Sequence, residues 1–93
     1  MDKLEQIGHL AIEALLKARV LNKLALDAES KKKVADLVKM AKESSEKIDA
    51  LTEISAHNGK LEKATVDAAL DRILTAMKGV NEELDQLLEK ARG

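Results

Sequence analysis

Apolar residues recur along the chain in alternating steps of three and four, in three successive runs. The first is Leu4, Ile7, Ala11, Ala14, Ala18, Leu21 and Ala25. The second is Val34, Leu37, Ala41, Ser44, Ile48, Leu51 and Ser55, with two serines holding apolar places. The third is Val66, Leu70, Ile73, Met77, Val80, Leu84, Leu87 and Ala91. Such stepping paints one face of a helix and favours long helices crossing at shallow angles, as in coiled coils and bundles. No stretch alternates with the period of two that a strand requires, so the expected fold class is all-α.

The first two runs do not share a phase. Continuing the second backwards lands on Ser30, Asp27 and Lys23, all polar, so one straight helix cannot carry both stripes. The break is expected within "LDAESKKK", residues 26–33. Asp27 is the better cap for the next helix and Glu29 suits its opening turn, where three lysines alone would oppose the helix dipole. A second break falls at Asn58-Gly59, because glycine takes the left-handed conformation that ends many helices. Helices are thus predicted at about 2–26, 28–57 and 60–92, folding as one antiparallel three-helix bundle. A two-helix hairpin with a very long first arm is the alternative if residues 26–31 stay helical.

Composition narrows what such a bundle can do. The chain has no proline, which permits long unbroken helices, and no Phe, Tyr or Trp, which removes the usual stacking platforms for bases, sugars and flat cofactors. Its core must be built from Leu, Ile, Val, Met and Ala. Sixteen basic residues against seventeen acidic give a net charge of −1, so nothing points to nucleic acid as a partner. "KKK" at 31–33 is too short and too balanced by nearby acids to change that. Without cysteine there is no disulfide framework. "MDKLEQIGHL" lacks the basic and apolar regions of a signal peptide, and no run is apolar enough for a membrane span. A soluble, cytoplasmic protein is expected.

Candidate chemistry is sparse. His9 and His57 each follow a glutamate by four residues, Glu5 and Glu53, and imidazole with carboxylate suits zinc. Bundle metal sites, however, use inward-facing Glu-x-x-His pairs, and that spacing does not occur. His9 falls on the outward side with Glu5 and Glu13, and His57 on the charged side with Lys39, Lys42 and Glu46, in a last turn where its imidazolium favours the helix dipole. A phosphoryl carrier would want a cation beside its histidine; His9 has no lysine after it until Lys17, and His57 meets a turn. Ser44, Ser45 and Ser55 lie along the second stripe with no base in reach, where helical serines usually bond their own backbone. No catalytic residue, metal site or cofactor is expected.

One stretch exceeds what a helix face needs. From Leu10 to Leu26, twelve of seventeen residues are apolar, and a second row, Ile12, Leu16, Val20 and Leu24, runs at steps of four opposite Ala11, Ala14 and Ala18. Glu13, Lys17, Arg19 and Lys23 are scattered among the apolar rows, unlike a membrane-surface helix, which gathers its charges on one face. A helix apolar nearly all round is normally covered on two sides. Either this helix is wedged between the other two, or the row Ile12, Leu16, Val20 and Leu24 is an interface for a protein partner, the chain itself or another helical protein. The expected function is therefore non-enzymatic: protein–protein interaction or self-assembly. A histidine-bearing bundle that binds a metal or carries a phosphoryl group is the alternative. The missing aromatics, Cys and Pro also suit a designed bundle without biological function, although Gly8, Gly79 and the Ser44-Ser45 pair are unlike deliberate design.

Overall fold

The computed structural model describes residues 2–58 and 62–92, with side chains throughout except at 55–58. Three helices form: α1 (Lys3–Asn22), α2 (Ala28–Asn58) and α3 (Lys63–Arg92). No strand occurs among the described residues. The all-α three-helix bundle stands, and the two-helix hairpin does not.

Each of the first two helices starts where a carboxylate can satisfy its free N–H groups. The Asp2 carboxylate accepts from the Glu5 N–H at 2.8 Å. The Asp27 carboxylate accepts from the Ser30 N–H at 2.7 Å, with Glu29 in the opening turn, as a positive helix N-terminus favours. The Ser30 N–H, the Ser30 hydroxyl and the nearby Lys90 charge, in that order, hold the Asp27 carboxyl below its ordinary 3.8.

α1 ends four residues before the predicted 26. The Lys23 N–H bonds the Val20 carbonyl at 3.1 Å and the Leu24 N–H bonds the Leu21 carbonyl at 3.0 Å, so the last turn tightens and stops without glycine or proline. Leu26 then turns inward to pack at the edge of the core. The stop follows from the phase shift: the stripe ending at Leu21 and the stripe starting at Val34 can share a core only if the chain leaves the helix and reverses. Ala25 is consequently exposed, as is Leu4 at the other end of α1. α2 ends at Asn58. The conformation proposed for Gly59 lies outside the described residues.

Lys3 pairs with Asp71 at 2.9 Å and Lys17 with Asp85 at 3.0 Å, so α1 and α3 run in the same direction. α2 runs against both, with Ala11 across from Ala41 and Ser45, Asn22 near Val38, and Leu87 near Ser30. At about 1.5 Å per residue, helices of 30 and 31 residues match a longest dimension of 50 Å, and α1, with 20, is much shorter. Because Asp71 sits in the third turn of α3, the first two turns of α3 extend past the start of α1.

Ile7, Ala14, Ala18 and Leu21 from α1 meet Val34, Leu37 and Ala41 from α2 and the run Leu70 to Leu87 of α3 in one core. α3 is buried over the widest arc, adding Leu74 and Asn81 beside its main stripe, because it lies against α1 most extensively and against α2 as well. In the second stripe Ser44 is buried, Ile48 and Leu51 are half-buried, and Ser45 is exposed off the stripe; Ser55 lies outside the described side chains.

Candidate association surface

The two faces of α1 are built alike but end up in different surroundings. Ile7, Ala14, Ala18 and Leu21 are buried against α2 and α3. The row on the opposite face is not covered: Ile12 is 59% exposed, Leu16 55%, Val20 48% and Leu24 38%. α1 is therefore docked along one side, and the wedged arrangement, with both sides buried, does not form. Ile12, Leu16 and Val20 lie one above the next at steps of four on the helix. Leu24 falls beyond Asn22 in the connection, so it flanks the row instead of continuing it. Leu15, 48% exposed, widens the patch toward α2.

Polar contacts on α1 lie on the side of α3. The Asn81 side-chain amide donates to the carbonyls of Leu10 and Met77, both at 3.0 Å, and its side-chain oxygen accepts from the Lys17 amine at 3.1 Å. Lys17 also reaches Asp85, so one amine links a buried amide to a surface carboxylate. Asn81 is buried although it lies off the apolar stripe. It stands one place after Val80, yet Met77, Asn81 and Leu84 also step by four and three, and that second phase was the available signal. At the N-terminal end of α1, the hydrogen bond from Lys3 to Asp71 holds the Lys3 amine above its ordinary value.

His9, Glu5 and Glu13 are all exposed, on the outward side of α1. Among the described residues no group of three or more His, Asp or Glu side chains is arranged to hold a metal. The His57 side chain lies outside the described residues, and Glu53 is exposed. Ser44 faces the α2–α3 boundary beside Lys47 and Ile73. No protein-family model matches the chain, and neither a curated protein nor a solved structure does. Among the described residues no helix is long and apolar enough to cross a membrane.

The surface thus offers shape and apolar area. Three branched side chains in line make a ridge that a neighbouring helix can straddle. Covering a Leu, Ile or Val side chain fully is worth roughly 1.5–3 kcal/mol, and a contiguous exposed row of them is a common mark of an interaction site.

Proposed function

We propose that this chain is a non-enzymatic association module that binds a protein, itself or another helical protein, through the outer face of α1. The observation that carries this reading is the exposure of Ile12, Leu16 and Val20 in one helical row while the opposite face of the same helix is fully docked. The bundle core is complete without these side chains, so their apolar character serves no intramolecular packing.

The test is the double variant Leu16→Glu, Val20→Glu, followed by sedimentation and circular dichroism. Wild type is expected to associate as concentration rises, and the variant to remain helical and monomeric. A wild-type protein that stays monomeric at high concentration removes self-association, and loss of the helical signal in the variant means the row is internal.

A further inference from the structure

The outer face of α1 reads the same in spacing from either end. Along its centre run Glu5, Ile12, Leu16 and Lys23, at steps of seven, four and seven, and all four are exposed. Glu5 and Lys23 share one direction around the axis, because eighteen residues make about five turns, and Ile12 and Leu16 fall about 20° to either side of it. Lys23 stands just past the helix, but its helical backbone (φ −86, ψ −12) keeps it on the same path. Along the axis, Glu5 lies about 10 Å before Ile12 and Lys23 about 10 Å beyond Leu16. Neither charge is in an ion pair among the described residues. A free acid and a free base thus lie at equal distances from the midpoint between Ile12 and Leu16.

We propose that α1 pairs with α1 of a second copy, antiparallel, about a two-fold axis level with Ala14. The inference rests on the α1 face being an association surface and names what covers it. In this register Ile12 lies across from the partner's Leu16 and Glu5 across from the partner's Lys23, and the two-fold repeats both contacts. Four apolar side chains make the centre, and an ion pair closes each end. Arg19 comes within about 6 Å along the axis of the partner's Glu5, so each carboxylate meets two cations. Leu15, 48% exposed, runs alongside the partner's Leu15 on one shoulder, and Val20 lies beside the partner's His9 on the other. That second shoulder also brings Glu13 near the partner's Glu13, the one like-charge contact in the pairing.

Charge selects both direction and register. A parallel pair sets Glu5 against the partner's Glu5 and Lys23 against the partner's Lys23, and like charges facing each other disfavour it. An antiparallel pair centred on Leu16 instead moves Glu5 about 6 Å out of line with the partner's Lys23. The same patch serves on both subunits, so the contact closes at two copies and does not extend into a filament.

Loss and rescue can be read at the same two positions. Glu5→Lys alone sets cation against cation at both ends of the pair, and Lys23→Glu alone sets acid against acid. At low ionic strength each should weaken the wild-type dimer about tenfold in sedimentation equilibrium. Their equimolar mixture restores both ion pairs and should associate as wild type does. Both changes oppose the helix dipole, but recovery in the mixture excludes that as the cause of the loss. Glu13→Gln should tighten the dimer by removing the like-charge contact. Cross-linking fixes the direction, since the chain has no cysteine of its own. On oxidation, Glu5→Cys mixed with Lys23→Cys should give a disulfide dimer of the two variants, and Glu5→Cys alone far less. Should a charge variant lose its helical signal, the cysteine variants decide. Charge variants as tight as wild type, or a Glu5→Cys homodimer, overturn the antiparallel pairing; the α1 face still stands as the contact surface if Leu16→Glu, Val20→Glu is monomeric. A wild type monomeric at every concentration also overturns the pairing and leaves that face to another helical protein.

Discussion

α3 meets its two neighbours by different means. Against α1 the seam holds a buried amide, Asn81, bonded to the Leu10 carbonyl and to the Lys17 amine, with Lys17–Asp85 and Lys3–Asp71 at its rim. Against α2 the seam is mainly apolar, with Leu51 on the α2 side near Ile73 and Ser44 as a buried polar residue beside it, and it opens outward into a groove. Apolar contacts are strong but indifferent to small slips, whereas a buried donor has to find its acceptor. The α1 seam thus has its register specified by direction, while the α2 seam relies on shape and on where Asp27 starts the helix. The rim ion pairs contribute little, since exposed pairs are typically worth 0–1 kcal/mol (about).

The largest test of this contrast is at Asn81. Asn81→Ala should cost about 1–3 kcal/mol in urea denaturation, because it removes a buried side chain together with its hydrogen bonds to the Leu10 carbonyl and the Lys17 amine. Asn81→Leu should recover that loss yet broaden the amide resonances of α1, if the amide is what selects one register. A variant equally sharp and more stable would show that packing alone sets the α1 seam.

A smaller effect of opposite sign is expected at Gly79. A Cβ added there meets nothing within 4 Å, so Gly79→Ala should stabilise by up to about 1 kcal/mol. A loss in melting temperature would mean that the outer side of α3 is more tightly approached than the contrast allows.

The smallest concerns Asp27, whose carboxyl is held below 3.8 by the Ser30 N–H. A depressed carboxyl contributes stability that is present above its unfolded value and lost as pH falls through its folded one. Asp27→Ala should therefore lower the melting temperature at neutral pH, and the deficit should shrink below about pH 4. A deficit independent of pH would show that the cap does not act through its charge.

The stripes of three and four made most of this bundle legible. In α3, Leu70 through Leu87 were placed by periodicity, and all are buried. The clash of phase between Leu21 and Val34 located the first turn, and the dipole of α2 singled out Asp27 as its cap. The early end of α1 was not legible, because it is made by backbone bonds from Lys23 and Leu24 with no glycine or proline to announce it. Leu4 was misplaced for another reason: periodicity assigns a face, but at the end of a bundle that face has little to pack against. The exposure of Ile12, Leu16 and Val20 needed the structure too. A row opposite the core stripe can be covered or open, and only the positions of the other two helices decide between them.

The unequal helix lengths have a consequence for how the molecule opens. Around Met77 and Leu84, α3 is packed into the core of all three helices, and its amides there are expected to be among the slowest to exchange with solvent. The turns of α3 from Lys63 to Ala69 extend past the start of α1, beside a stretch of α2 where Leu51 is only half-buried. Those turns can unwind and re-form while the three-helix core stays shut. The bundle therefore has a gradient of local stability along its long axis, rising from the two-helix overhang to the three-helix body.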